Sequence, residues 1–571
     1  MSKAVGQATE KTAEQTIRPG TESAAGTSVT IGAQLWLLDP RDPVVLGDGR
    51  TNLSLGGQNA WPFPLPGTVA GMVRTTLLRG QTEVTPELAR ALLRVRVRGP
   101  WLLPPASTPD DLRFFAPADV RLEQKGVSNA ASSALPAPEK PPAPEEHLYE
   151  RLVGGQLLKL SSDEGVLWPA PSREDDNPLQ APIPRCLVEL QERTKNGAKC
   201  KPMSLALWPL KLLVLWNLGI RPNGGGETER VSASRKERLH PQSRDLEKWC
   251  QALADEVVAE ADKGTEYLLR ESRIHVALDD QRLTAEPGML FSSSGLRLKD
   301  GWKLGMEVCL PEPLPAILAE LPALSQGEQL AYLGGEARPA FLDVASLQAR
   351  PAGAFPPFEH FAELYWKARV RADGLRLQLL TPAFLPYRES GGGRYHQHGD
   401  PGWCPSWLLE GHATPAAHPA VSALLKEHRQ VLRLEALCLP DHHVVSGWNL
   451  QARSQRDKPR ADARMLERTG APREVRRLVP AGSVYYLRLD PLIEGAALDE
   501  ADHQRLLLEL CRALWGQSFD PVGPGECDDA MMYTEFRAPA SADGYGLLLP
   551  GFWRYPDPSE KTEEDAKAHR R

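Results

Sequence analysis

The stretch WPFPLPGTVAGMVRTTLL, residues 61–78, decides how the rest of the chain is read. Pro62, Pro64, Pro66 and Gly67 stand directly before a helical pattern in which Val69, Met72, Val73, Thr76 and Leu77 recur at helix spacing. Thr68 is of a type that caps helices, so the spacing predicts a helix opening there. A core helix needs no more than that, and Gly71 in its interior costs roughly 1 kcal/mol against alanine. Its presence points to something approaching the backbone closely. A helix N-terminus exposes unpaired N–H groups and a partial positive charge, so Gly67, Thr68, Gly71 and Arg74 fit a phosphate cradle. They fit equally a helix that lets a strand cross at Gly71.

Before this helix, IGAQLWLLDP (31–40) reads as a buried strand and DPVVLGDGR (42–50) as a loop, the opening of an α+β unit. Further on, VRADGLRLQLLTP (370–382) places an Asp-Gly turn before alternating Leu375, Arg376, Leu377, Gln378 and Leu379, which predicts a hairpin with one polar face. SVYYLRLD (483–490) alternates again. DEADHQRLLLELCRALWG (499–516) starts acidic and ends on glycine, as a helix should. DGYGLLLPGFW (543–553) is a glycine-flanked apolar strand. The Ala/Pro-rich 125–144, the polar 222–242 and the Gly-rich 391–400 read as linkers or loop insertions. The fold class expected is α+β, with predominantly antiparallel strands in two units.

Composition narrows the function. Lys plus Arg number 67 and Asp plus Glu 74, a net charge of −7, which argues against a globally basic coat for nucleic acid but not against a local groove. The eight cysteines form no CxxC pair and read as reduced thiols of a cytosolic, hence cytoplasmic, protein. Residues 1–30 read as a disordered polar tail rather than a secretory signal, and 557–571 as a charged tail. LALWPLKLLVLWNLGI (205–220) is interrupted by Pro209, Lys211 and Asn217 and is too short to span a bilayer, so it reads as a buried helix, with no membrane partner.

Familiar catalytic patterns are missing. His396, His398, His442 and His443 fall in loops without HxxxH or CxxC spacing, and neither GxSxG nor GxxxxGK[ST] occurs; no metal or cofactor is expected. The doublets Asp110–Asp111, Asp279–Asp280 and Asp528–Asp529 read as turns or caps. Residues 453–477 hold nine Lys/Arg against four Asp/Glu in an acidic chain. Arg453, Arg456, Lys458 and Arg460 there suit phosphate contacts, although a solvated face accounts for them as well. Tyr485 and Tyr486 follow on a strand, where exposed aromatics would offer stacking platforms to unpaired bases.

PLPGTVAGMVRTTLL also resembles a signature of RAMP-superfamily CRISPR proteins: Pro, small residue, Thr/Ser, two residues, Gly, two residues, Arg. DPVVLGDGR, LRFFAPADV (112–120), ESRIHVALD with TAEPGMLFSSSGLRL (271–298), YLGGEARPAFL (332–342), LLTPAFL (379–385), VSGWNLQ (445–451), VPAGSVYYL (479–487) and DGYGLLLPGFW follow in order. Together they resemble the family of third subunits of type III-B (Cmr) effector complexes. The resemblance implies two ferredoxin-like, RRM-related units with large loop insertions, 31–310 and 311–556, without a catalytic centre of their own. It implies a subunit that holds the 5′ tag of the guide crRNA, touches a large polymerase-like subunit and a backbone RAMP subunit, and meets target RNA only indirectly. On that basis Gly67, Thr68, Gly71 and Arg74 would contact the tag, joined by Arg273, His275, Gly544 and Gly546, while Trp448 would pack. One alternative is a RAMP endoribonuclease that processes precursor crRNA, which usually wants a His or Tyr near the first strand and helix. Here no His precedes His147 and no Tyr precedes Tyr149. Another is the equivalent subunit of a different type III complex.

Overall fold

The computed structural model describes residues 33–554 apart from 47–61, 80, 82–84, 125–148, 155, 160–185, 190–199, 204–205, 222–240, 264–266, 279–283, 312–314, 320–326, 335–337, 348–349, 370–371, 386–404, 410–417, 441–442, 446–447, 450–470, 473–475, 494–495 and 520–539. The tails at 1–30 and 557–571, the tracts 125–144 and 391–400, and all of 222–242 except Pro241 and Gln242 lie outside the described residues.

The first strand, β1 (Ala33–Pro40), shows why a run without polar alternation belongs in the middle of a sheet. Leu35 and Trp36 point to opposite faces, and both are buried. Leu35 joins Trp101 and Leu103 in one core. Trp36 and Leu38 join Val69, Val73 and Leu77 in the other. Full burial of such side chains contributes about 1.5–3 kcal/mol each. The residues that cover Trp36 come from α1 (Pro66–Leu77), whose apolar stripe is buried as its spacing predicts. The helix begins earlier than expected: Leu65 is the N-cap, Pro66 is its first residue, and Thr68 sits inside the first turn. Proline's fixed φ starts the helix there, so no hydroxyl cap is used. A second helix, α2 (Pro86–Leu93), is capped by Thr85, whose hydroxyl accepts from the Leu88 amide at 3.2 Å.

Helix α2 leads into β2 (Arg96–Leu103) and β3 (Arg113–Phe115). The apolar run at 205–220 divides at Pro209 into β4 (Leu207–Pro209) and α3 (Leu210–Asn217), so it is strand plus helix rather than one helix. After α4 (Pro241–Lys263), the strands β5 (Leu268–Leu278) and β6 (Ala285–Leu298) form a long hairpin, with Val44–Val45 paired on its inner side. Then come β7 (Lys303–Cys309), β8 (Gly327–Leu333) and β9 (Arg338–Ser346). The first sheet runs in the order β4-β3-β2-β7-β1-β9-β8. Its register sets Met306 and Val344 on either side of Trp36, so three strands feed one core face.

The second sheet contains β10 (Gly374–Leu379), β11 (Gln430–Cys438), β12 (Val484–Pro491) and β13 (Leu548–Trp553), in the order β11-β12-β10-β13. Helix α5 (Pro419–Glu427) precedes β11, and α6 (Glu500–Leu514) precedes β13. Asp499 caps α6 by accepting from the Asp502 amide at 2.7 Å, and Gly516 beyond its end takes φ +61°. Every strand pairing among the described residues is antiparallel. The chain is therefore mixed α and β with antiparallel sheets.

Two expectations fail for one physical reason. β10 is not half of a local hairpin: its neighbours are β12 and β13, and its polar residues Arg376 and Gln378 are buried rather than solvated. Tyr485 and Tyr486 are likewise buried, so they offer no stacking platform. Tyr485 packs on Phe519, and the Tyr486 hydroxyl donates to Asp119 at 2.6 Å. Alternation shows that a strand has two kinds of face, but it does not show whether water or protein covers the polar one.

Candidate nucleic-acid interface

Helix α1 has no side-chain cap and no acidic residue in its first turn, which leaves the helix dipole unopposed by local charge. The Leu65 carbonyl accepts from the amides of Thr68 (3.0 Å) and Val69 (3.2 Å). Gly67 meets the glycine-rich loop at 543–546: a Cβ there would lie 2.9 Å from the Tyr545 hydroxyl oxygen. Tyr545 in turn lies against Phe384, with ring centroids 4.7 Å apart. Gly71 is different. It is exposed, and apart from its chain neighbours and the backbone of its own helix, no atom of the described chain comes within 4 Å of where its Cβ would be. No strand of the described chain crosses there.

Arg74 is held inside the protein. Its Nη1 donates to Asp543 Oδ1 at 2.6 Å, Nε to the Leu92 carbonyl at 3.1 Å and Nη2 to the Val95 carbonyl at 3.2 Å. It ties α1 to the end of α2 and to the glycine-rich loop. That loop needs both glycines for close approach: Gly544 (φ +91°) lies against β2, where a Cβ would sit 2.7 Å from the Val97 carbonyl. Gly546 (φ +75°) lies against the Phe519 amide, 3.2 Å from a Cβ at that position. Thr381, just past β10, fixes the loop from the other side. Its hydroxyl donates to the Gly544 carbonyl at 2.8 Å and accepts from the Leu547 amide at 2.9 Å. Gly67, Arg74, Gly544 and Gly546, far apart in sequence, thus converge on one seam between the sheets, and Thr68 and Gly71 belong to the same helix.

Arg273 and His275 stand elsewhere, on the β5–β6 hairpin. Arg273 and Arg297 both hold Glu271, at 2.7 and 2.9 Å, and their hydrogen bonds keep its carboxyl below the usual range. His275 Nε2 lies 2.6 Å from Ser293 Oγ. On the opposite face of β5, Ile274 is 79% exposed. Arg453, Arg456, Lys458 and Arg460 lie outside the described residues, as do His396, His398, His442 and the doublets at 279–280 and 528–529. Asp110 pairs with Lys211 (3.0 Å) and His360 (2.7 Å), and Asp111 caps the turn at Thr108, so this doublet is structural. Trp448 lies in a short strand paired with Pro472. Among the described residues, no three His, Cys, Asp or Glu side chains are placed to hold a metal ion, and no helix is long and apolar enough to cross a membrane.

Sequence reasoning missed the groups that organise this seam: Asp543, Thr381, Tyr545 as the neighbour of Gly67, and a buried polar cluster beneath them. In that cluster Arg376 donates to Asp119 Oδ1 at 2.7 Å and to Asn217 Oδ1; Asn217 Nδ2 donates to Gln378 Oε1 at 2.7 Å, and Gln378 Nε2 to the Phe115 carbonyl at 3.0 Å. Burial alone would raise the Asp119 pKa, but the charges of Arg376 and Arg221, with hydrogen bonds from Arg376 and Tyr486, hold it below the usual carboxylate range. Burial pulls Arg221 down to about 10, opposed by Asp119. The available signal was the pairing of Arg376 with Gln378 on one face of an otherwise apolar strand.

Fold and seam together define a class: an antiparallel α/β chain in which a proline-led helix docks on a glycine-rich loop from the far end of the sequence. Residues 36–506 match the model of the family described as CRISPR-associated protein (Cas_Cmr3), and the chain belongs to that family. Among solved structures, a chain of the cryo-EM structure of the type III-B Cmr-beta bound to cognate target RNA and AMPPnP is similar at 11% identity and TM-score 0.32, covering 79% of this chain and 86% of that one. A chain of the Cmr-beta bound to cognate target RNA is similar at 12% identity and TM-score 0.31, with the same coverage. One from the crystal structure of the Csm3-Csm4 subcomplex of the type III-A interference complex is similar at 5% identity and TM-score 0.26, covering 79% of this chain and 92% of that one. No curated protein matches the chain.

Proposed function

We propose that the chain is a non-catalytic, RNA-binding subunit of a type III-B CRISPR effector complex that holds the 5′ tag of the crRNA along α1 and its seam with the glycine-rich loop. Family membership supports the setting. The observation that carries the site is Gly71, a helix-interior glycine on an exposed face that no atom of the described chain occupies, beside the convergence of Gly67, Arg74, Gly544 and Gly546. Gly67, Thr68 and Gly71 line the approach, and Arg74 sets its geometry from beneath. Arg273 and His275 on the hairpin, with Arg453, Arg456, Lys458 and Arg460, add contacts along the RNA. The large polymerase-like subunit and a backbone RAMP subunit flank this one, and target RNA is met through them.

The proposal includes two ferredoxin-like units, expected at 31–310 and 311–556, with the first extended to Ser346 because β8 and β9 pair in the first sheet. Strand order supports it: with β10, β11, β12 and β13 counted one to four along the chain, the sheet runs two, three, one, four (β11-β12-β10-β13), with α5 and α6 in the two crossovers, and β2-β7-β1-β9 repeats that order in the first sheet. The test is binding of the purified chain to RNA bearing the repeat-derived tag against a tag-less RNA of equal length, over a salt series. Each phosphate neutralised should lower log K by about 0.7–0.9 per log unit of salt. Preference for tagged RNA with a steep slope is expected; equal binding of the two RNAs would overturn the reading.

One observation favours the endoribonuclease alternative. The fold brings Tyr545 to the first turn of α1, supplying the hydroxyl that the N-terminal sequence lacks. Cleavage of repeat RNA under chelation, abolished by Tyr545→Phe, would establish that alternative. Co-purifying subunits of another type III complex would change the assembly but keep the site.

A further inference from the structure

We infer that Asp119 and Arg376 are positioning residues for the RNA-binding seam: a buried ion pair that ties the turn after β3 to the second sheet and sets where the glycine-rich loop lies against α1. The inference rests on the RNA-binding reading of that seam, yet its geometry stands by itself. Asp119 and Arg376 are each 1% exposed, and Asn217, Gln378 and Tyr486 close around them. Both Asp119 oxygens are used, Oδ1 by Arg376 and Oδ2 by Tyr486. Asp119 and Asn217 come from the first half of the chain and Arg376, Gln378 and Tyr486 from the second, so the cluster spans the junction rather than stabilising either half alone.

From this pair a continuous series of hydrogen bonds leads to the loop. The Ala118 amide, next to Asp119, donates to the Gly482 carbonyl at 2.8 Å, and the Gly482 amide donates to the Leu379 carbonyl at 2.7 Å. Gly482 (φ +85°) admits that approach, since a Cβ there would lie 2.3 Å from the Ala116 carbonyl oxygen. Leu379 ends the strand that carries Arg376. Two residues on, Thr381 holds both Gly544 and Leu547, and the Gly546 amide donates to the Pro382 carbonyl at 2.8 Å. The ion pair therefore holds β10 at its middle, and the residues just past its C-terminal end grip the loop that faces Gly67 and Arg74. A directional, desolvated pair serves this purpose better than apolar packing, because apolar surfaces slide and a bonded charge pair holds one register.

The experiment compares the full-length chain with Asp119→Asn and with the double variant Asp119→Leu/Arg376→Met. The double variant removes both charges of the pair together, and Arg221, whose charge Asp119 also faces, keeps its hydrogen bond to the Trp216 carbonyl. Two readouts are taken: amide hydrogen exchange at Gly546 and Leu547 against the reference strand β7, and affinity for tagged RNA. We expect the double variant to melt somewhat lower, because Tyr486 and Asn217 lose their partners, but to keep its β7 protection. Gly546 and Leu547 should exchange faster, and tag affinity should fall about five- to hundredfold, the usual range of coupling between sites. Unchanged exchange at the loop, or wild-type affinity, would overturn the inference. Exchange accelerated throughout both variants would reduce the pair to general packing and overturn it equally. If the wild-type chain does not prefer tagged RNA but the loop amides still respond, the RNA reading fails and the positioning role stands.

Discussion

A Cβ at position 71 would meet no described atom within 4 Å beyond its chain neighbours and the backbone of its own helix, so alanine there removes the entropic penalty of glycine without a clash. For Gly71→Ala we predict higher stability, by up to about 1 kcal/mol, together with weaker binding of tagged RNA if the backbone of that turn is where the RNA comes close. Urea denaturation and an affinity measurement on the same preparation check it. A variant that is both more stable and equally tight would show that no ligand uses the exposed face. The glycines and Arg74 of this helix were legible in the sequence because each breaks a local rule or repeats a signature. The partner of Arg74 was not, for Asp543 is 469 residues away and no local pattern encodes such a pairing.

At the scale of the element, β10 shows how a correct strand can carry an incorrect surface. Its boundaries follow from Leu375, Leu377 and Leu379, but Asp373–Gly374, read as a turn, instead marks a point of close approach between strands. A Cβ on Gly374 would sit 2.1 Å from the Leu487 carbonyl oxygen and 2.6 Å from Trp553 Nε1, just where the indole donates to Leu487 at 2.9 Å. Gly374→Ala should therefore lose about 1–3 kcal/mol through overpacking against backbone that cannot withdraw, whereas relief of a flexible turn would predict a gain. The shift of the urea midpoint decides between them. α6, by contrast, was legible from end to end, because its acidic cap, its apolar stripe and the following glycine are all local to it. Burial of Arg376 and Gln378 depends on which other strands flank β10 and what covers them, and that information lies in β12, β13, α3 and the segment around Asp119.

Across the whole molecule, two buried groups, His418 in the second half and Asp119 at the junction, contribute to the response to acid in different windows. His418, at the start of α5, packs edge-on against Trp407, and burial pulls its pKa from 6.5 down to about 4. Because the folded value is depressed, the unfolded chain takes the proton first as pH falls. Stability is therefore full above pH 6.5 and declines until the folded form also protonates near 4, a loss of roughly 3 kcal/mol for that separation. Asp119 acts in a lower window. Its folded pKa lies below the model-peptide 3.8, so its contribution persists above that value and disappears only as pH drops through the folded one. His418→Phe keeps the apolar contact with Trp407 and removes the titration. Denaturation at about pH 7, 5.5 and 4.5 should then give a wild-type stability that falls with each step and a variant whose decline over that interval is shallower by roughly 2.4 kcal/mol, the part of the full loss reached by pH 4.5. Parallel curves for the two proteins would mean that His418 titrates alike folded and unfolded. The packing around α5 would then admit water that the closed core between α5, Trp407 and Phe519 should exclude.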